Sequence, residues 1–298
     1  MLDRIHRVVN SSFFLAFLAI IFCYSIFTLG YQIERTDFYS LLIWYTLSFI
    51  SFLILSIKTS PKKTIALLIL SIAARSILLL AEPTLSDDYF RFLWDGYLFS
   101  NGVNPFSFIP SVWFSDGIGK PEYVDYVYQH LNSQDYYSVY PAFLQYIFAF
   151  GAKLFPLNLN NQLVFLKCIS LLAEFGSIVL IYKLLKHFKM NLQLVLLYAL
   201  NPMIILELTG SIHYEVLMIF FSLLAIYLLL KKKWIWSAVA LSCAFATKLF
   251  PVLLLPFIIK HLSKKNKWRY GLTFIIFSIL LFTPFLNQTF FSNYSSSV

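Results

Sequence analysis

Charge is scarce in this chain. Asp, Glu, Lys and Arg make up 12% of its 298 residues, against 59% hydrophobic ones, too little polar surface to wrap a soluble core. Acidic residues are the scarcer sign, 14 against 23 basic, for a net charge of +9. In a soluble protein that excess would suggest nucleic acid. Here the Lys and Arg sit in short tufts between apolar runs, which points to membrane topology and not to a nucleic-acid partner. The three cysteines, Cys23, Cys168 and Cys243, each lie inside an apolar run with no paired or ligand-like spacing. That argues against a metal site and says nothing of redox compartment. There are nine glycines and no Gly-rich phosphate loop, so the usual cradle for a nucleotide is missing. No internal repeat is visible.

What fills the chain is apolar runs near membrane-spanning length, at 12–29, 39–57, 64–82, 163–184, 192–209, 214–230, 234–247, 249–260 and 270–286. They predict an all-α, polytopic integral membrane protein, a single transmembrane domain over 1–298 with about nine spans. The first run, Ser11 to Gly30, is followed by no small-residue cleavage pattern, so it reads as a retained helix and not a signal peptide. Between 234 and 260 the sequence Lys248-Leu249-Phe250-Pro251 interrupts two short runs. Pro251 removes a backbone donor there, which predicts a broken or hairpin-like pair of helices.

Orientation follows from five basic tufts: Arg4/Arg7, Lys58/Lys62/Lys63, Lys183/Lys186/Lys189, Lys231/Lys232/Lys233, and Lys260/Lys264/Lys265/Lys267/Arg269. A cytoplasmic N-terminus puts all five inside. Residues 83–162 then form a large first extracytoplasmic loop, rich in Tyr, Trp, Asp and Pro up to residue 140. The apolar stretch Pro141 to Phe155 is short, and reads as an interfacial or re-entrant helix of that loop; a true span is the alternative.

The polar residues concentrate at the outer ends of the runs. Ser86-Asp87-Asp88-Tyr89-Phe90-Arg91-Phe92-Leu93-Trp94-Asp95-Gly96 packs three carboxylates and a guanidinium beside a span. As a helix over 87–99, it places Asp88, Arg91, Asp95 and Phe99 on one face, and Phe90, Leu93, Trp94 and Tyr97 toward the other. That describes a helix lying on the membrane surface with its carboxylates facing a cavity. A solvated loop with an Arg91–Asp95 surface pair fits the same residues. Glu207, His213 and Glu215 cluster at a second outer turn, where ionisable groups at span ends are also simply wet. Lys248 is an isolated outer cation at the helix break, and a lipid phosphate would match it. Arg75 and Glu174 sit near the middles of their runs, where an unpaired charge is costly, and are expected to pair between helices.

These motifs, taken in order, resemble a known family. Asp88-Tyr-Phe-Arg91, Trp94-Asp95-Gly96 and Asn101-Gly-Val-Asn-Pro105 resemble the first outer loop of bacterial polyprenol-phosphate-dependent mannosyltransferases of the GT-C fold. Val139-Tyr140-Pro141 is similar to their Tyr-Pro-Pro motif, with Ala142 replacing the second proline. Ala199-Leu200-Asn201-Pro202, Glu207 and Gly210-Ser211-Ile212-His213-Tyr214-Glu215 resemble a later block, with Tyr214 where an Asn is more usual. Thr247-Lys248-Leu249-Phe250-Pro251 resembles their Lys-x-x-Pro helix break. Family members carry several more helices after this point, so the resemblance implies a chain cut short at its C-terminus.

The resemblance implies a GT-C-like bundle in a bacterial plasma membrane, with its active site at the outer face. The sugar, mannose, passes from a polyprenyl phosphate to a glycan or lipid acceptor by single displacement with inversion. Such a reaction needs one carboxylate as general base for the acceptor hydroxyl and cations for the departing phosphate. Asp88, which holds the Asp-x-x-Arg spacing, is the expected base, with Asp87 as its rival. Lys248 is the expected phosphate ligand, helped by Arg91 and His213, while Asp95, Tyr140, Glu207 and Glu215 complete the substrate site. A lipid phosphomonoester leaves with less charge than a nucleotide diphosphate, so neither metal nor cofactor is expected. Two other classes fit a membrane protein with a large outer loop: a flippase for lipid-linked sugars, and a polysaccharide polymerase or ligase. A transporter tends to place its polar groups at the midplane, where only Arg75 and Glu174 lie.

Overall fold

A computed structural model of the protein describes residues 12–57, 63–115, 120–287 and 290–296. Arg4, Arg7, Lys58 and Lys62 of the orientation argument lie outside the described residues. Among the described residues every regular element is a helix. In chain order these are α1 Ser12–Tyr31, α2 Phe38–Ile57, α3 Thr64–Leu80, α4 Asp88–Ser100, α5 Pro110–Ser115, α6 Glu122–Gln129, α7 Ala142–Leu154 and α8 Leu159–His187. There follow α9 Leu192–Ala199, α10 Pro202–Gly210, α11 Glu215–Leu230, α12 Trp234–Thr247, α13 Phe250–Lys260, α14 Lys264–Phe285 and α15 Phe290–Ser295.

Helices α1, α2, α8 and α14 are each long and apolar enough to cross a membrane, and α9 with α10 make a fifth such segment if their bend is counted as one broken span. Helices α3, α7, α11, α12 and α13 are apolar but shorter. With 13 residues, α7 is about 20 Å long, well short of a hydrocarbon core of about 30 Å.

The apolar run 192–209 does not fold as the single helix expected from the sequence. It bends by 49° between α9 and α10. Pro202 brings no N–H to the break, and the Asn201 side chain caps the new helix by accepting from the Met203 N–H at 3.0 Å. The break at Pro251 is as expected: Lys248 is extended after α12, and Phe250–Leu254 forms a 3-10 turn that opens α13.

The side chains are sorted as lipid requires. Phe13, Ile20, Ile65, Ile69 and Phe257 are exposed, whereas Ser25, Ser48, Ser51 and Ser71 are buried on the same or neighbouring helices. Water would penalise that inversion. Lipid does not distinguish a buried Leu from an exposed one, and small residues inside let helices approach closely. The protein is therefore a polytopic all-α membrane protein.

The chain forms two compact units. The first comprises 1–86 and 167–213, the second 87–166 and 214–298. In the first, α1 and α2 pack as a hairpin, with α3 against α1. The last turn of α3 needs partners for its carbonyls, and they come from elsewhere in the unit. Tyr31 donates its hydroxyl to the Ile77 carbonyl at 2.7 Å, and buried Lys167 donates Nζ to those of Leu78 and Ala81 at 2.8 and 2.5 Å. A cation at a helix C-terminus also suits the helix dipole.

In the second unit α4 packs along α7, α11 along α12, and α12 along α14. The contact of α4 with α7 is close enough to demand glycine. A Cβ on Gly96 would sit 2.6 Å from the carbonyl oxygen of Phe148 and 2.8 Å from its carbonyl carbon. Backbone cannot step aside as a side chain can, so Gly96→Ala should cost about 1–3 kcal/mol of stability. Gly271, inside α14, has nothing within 4 Å of its added Cβ, and Gly271→Ala should stabilise by about 0.5–1 kcal/mol through helix propensity. Thermal unfolding of both variants checks the opposite signs; a harmless Gly96→Ala would refute the close contact.

Candidate functional site

Helix α4 starts at Asp88, with Asp87 as the residue before its first turn. A carboxylate there faces the positive end of the helix dipole. The Asn132 amide donates to Asp88 Oδ1 at 3.0 Å, which fixes the orientation of that carboxylate. Asp87 and Asp88 are both half-buried, so a second reactant can reach them.

Directly after Asp88 the helix is no longer at a surface. Tyr89 to Gly96 are all buried, with Arg91 at 3% and Asp95 at 0% side-chain exposure. The expected surface helix, with Arg91 and Asp95 turned to a cavity, is thus corrected to a helix packed on both faces. Arg91 Nε donates to Asp95 Oδ1 at 2.8 Å, and its Nη1 reaches the carbonyls of Ser133 and Tyr136 at 3.1 and 2.9 Å. Asp95 Oδ2 accepts from Ser138 Oγ at 2.5 Å and Gln145 Nε2 at 2.9 Å. Loop carbonyls and two polar side chains replace the water that a buried ion pair gives up. What this network does is hold the 131–140 loop and α7 onto α4.

Tyr140 lies at the end of that loop. Burial pushes its hydroxyl far above the usual phenol range; the carboxylates of Asp88, Asp95 and Glu215 push it the same way, and Arg91 opposes them. It is therefore a hydrogen-bond donor at any physiological pH, within the electrostatic reach of Asp88 and Glu215 together. Glu215 opens α11 and pairs with Lys248, the extended residue after α12. Both partners of this ion pair are partly buried, with side-chain exposures of 43% for Lys248 and 39% for Glu215. The second unit thus brings Asp87, Asp88, Tyr140, Glu215 and Lys248 onto one body, with Arg91 and Asp95 beneath.

Glu207 and His213 belong to the first unit. His213 Nδ1 lies 3.0 Å from Glu207 Oε2, and its Nε2 lies 3.3 Å from Ser86 Oγ. Two backbone departures aim this pair. Residues Ile205–Gly210 form a π-helical turn, a geometry frequent at functional sites, and Ile212 sits at φ +59. A β-branched residue in the left-handed region is strained, and here it turns the chain so that the His213 N–H bonds the Glu207 carbonyl at 3.0 Å. A carboxylate–imidazole–hydroxyl row of this kind holds a proton at a defined nitrogen.

Arg75 and Glu174 pair within the first unit, both fully buried, as expected. Arg75 Nε donates to Glu174 Oε2 at 2.6 Å and Nη1 to the carbonyls of Ser71 and Ala199; Glu174 Oε1 accepts from Thr209. Among the described residues no three His, Cys, Asp or Glu side chains are grouped as metal ligands.

Sequence reasoning missed Asn132, Ser133, Ser138, Gln145 and Ser86. A signal existed for Gln145, a lone amide in an apolar helix, as it did for Lys167. The others look like ordinary loop residues.

No curated protein and no solved structure matches the chain. A family model does, over residues 38–264, and its description is alpha-(1->6)-mannopyranosyltransferase, N-terminal domain. That stretch takes in every candidate residue from Asp87 to Lys248. The chain therefore belongs to the alpha-(1->6)-mannopyranosyltransferase N-terminal domain family, MptA_B, and is a glycosyltransferase.

Proposed function

We propose that the protein moves mannose from a polyprenyl-phosphate donor to a glycan or lipid acceptor at the outer membrane face, with inversion. Asp88 takes the proton of the acceptor hydroxyl as its oxygen bonds the anomeric carbon. The bond from that carbon to the phosphate oxygen breaks, and the lipid phosphate leaves with the electron pair. Lys248 stabilises the charge that develops there. Glu215, its partner in the structure, keeps Lys248 in place and gives way to the phosphate. Tyr140 supplies a further donor. Arg91 and Asp95 hold the loop that carries Asn132 and Tyr140.

The observation that carries this reading is that Asp88, held by Asn132, and Glu215, paired with Lys248, lie in one unit and both raise the buried Tyr140 hydroxyl. A carboxylate to act as base and a cation to match the phosphate are what a single displacement from a phosphate leaving group requires. Purified protein, with chelator present, should transfer mannose from polyprenyl phosphomannose and not from nucleotide-linked mannose. Efficient use of the nucleotide donor, or strict need of a divalent metal, would overturn the donor class.

The outer-face reading has its own test. Ser115 and Ser263 are both exposed, one in the large loop and one in the basic stretch 260–269. After replacement of the native cysteines, Ser115→Cys should react with an impermeant thiol reagent on intact cells and Ser263→Cys only after lysis. The opposite pattern would invert the topology.

A further inference from the structure

Helices α1 and α3 run parallel in the first unit, and a cavity of about 300 Å³ opens between their N-terminal halves. One wall carries Ser12, Ala16 and Ala19, the other Lys63, Ala66 and Leu70, with buried Leu55 of α2 behind them. On each wall the spacing is three and four residues, so each triplet is one helix face. Both faces run polar to apolar in the same direction. Ser12 and Lys63 meet at one end, Lys63 Nζ donating to Ser12 Oγ at a long 3.4 Å, and only apolar side chains line the rest. Seven residues of helix make the groove about 10 Å deep, roughly a third of a bilayer core.

We propose that this groove binds an anionic phospholipid, its phosphate on Lys63 and one acyl chain between the alanines. Three observations carry the assignment. The alanines leave room that Leu or Phe at those positions would fill, and Ala16 and Ala66 are exposed, so the groove is open to its surroundings. Those surroundings are apolar: Phe13, Phe17, Ile20, Ile65 and Ile69 are exposed beside it, a lipid-facing surface. The polar end is positive. Among the described residues no carboxylate pairs with Lys63, whose Nζ donates to Ser12 Oγ at the mouth of the groove. A zwitterionic lipid would fill the groove but gain less at its mouth. The inference is independent of the transfer chemistry proposed for the second unit.

Retention of added lipid by the full-length protein, read by native mass spectrometry, tests it with phosphatidylglycerol and phosphatidylcholine of identical acyl chains. The unsubstituted protein should retain phosphatidylglycerol about fivefold better, the worth of one Lys at a lipid surface. Lys63→Gln should bring the two lipids level. Ala16→Leu and Ala66→Leu, on opposite walls, should each lower retention of both. If a filled variant fails to fold, Lys63→Gln at the mouth of the groove carries the test alone. Equal retention of the two lipids by the unsubstituted protein overturns the proposal. So does phosphatidylglycerol binding that survives Lys63→Gln, or that inorganic phosphate displaces while the alanine substitutions leave it unchanged.

Discussion

Asp88→Asn should lower mannosyl transfer by about 100-fold or more while the protein unfolds at the same temperature. Asparagine keeps the size of the side chain and an oxygen to accept from the Asn132 amide, which lies 3.0 Å from Asp88 Oδ1 in the structure. The packing of α4 does not depend on the charge, because its buried ion pair is Arg91 with Asp95. What the substitution removes is a site for the proton of the acceptor hydroxyl. A 100-fold loss is about 2.7 kcal/mol of transition-state stabilisation. Asp87→Asn is the comparison, since Asp87 precedes the helix and neighbours Asp88 in the same half-buried setting. If Asp87→Asn is the dead variant and Asp88→Asn is active, the base is the neighbouring residue. If both turn over normally, the chemistry is elsewhere. A substituted protein that is inactive and also unstable would instead make Asp88 a folding residue.

The largest effect on stability is expected at the pair inside the first unit. Glu174→Ala leaves the Arg75 guanidinium fully buried with only the carbonyls of Ser71 and Ala199 for partners. An uncompensated buried charge costs about 3–5 kcal/mol. The Thr209 hydroxyl loses its acceptor as well, adding about 1 kcal/mol. The same reasoning gives the double variant Arg75→Met with Glu174→Met the opposite fate. Apolar side chains of similar volume remove both charges and the cost of burying them, so the double variant should be far closer to the native protein than either single one. Thermal unfolding in one detergent ranks the set. A double variant less stable than Glu174→Ala would mean that the pair contributes net stability beyond mutual neutralisation.

How far the sequence could be read depended on how local the signal was. Apolar runs of helix-forming residues were legible because lipid demands them, and Pro251 marked its break through a missing donor. The start of α4 was legible because two aspartates precede an apolar stretch. The bend at Asn201-Pro202 carried the same kind of signal but was absorbed into a run that is apolar on both sides of it. The burial of Arg91 and Asp95 was not legible. Spacing of four puts them on one helix face, yet whether that face meets water or protein is decided by Ser133, Ser138 and Gln145, which lie 42 to 50 residues away. The strain at Ile212 was hidden too, since nothing about an isoleucine in sequence announces a positive φ. Candidate residues that depend on a motif, such as Asp88, Tyr140 and Lys248, were easier to name than the side chains that hold them.

The ties that close the first unit also set an order on its biogenesis. Arg75 waits for Glu174 across 99 residues, and the end of α3 waits for Lys167 across 86 to 89. At ordinary synthesis rates that interval is roughly 5–20 s. Throughout it, a guanidinium bound for the bilayer and the carbonyls of a helix end must be sheltered by something other than their final partners. The stretch made in the meantime, 87–166, belongs to the other unit. The first unit is thus completed only after the loop with the proposed catalytic aspartate has already left the ribosome.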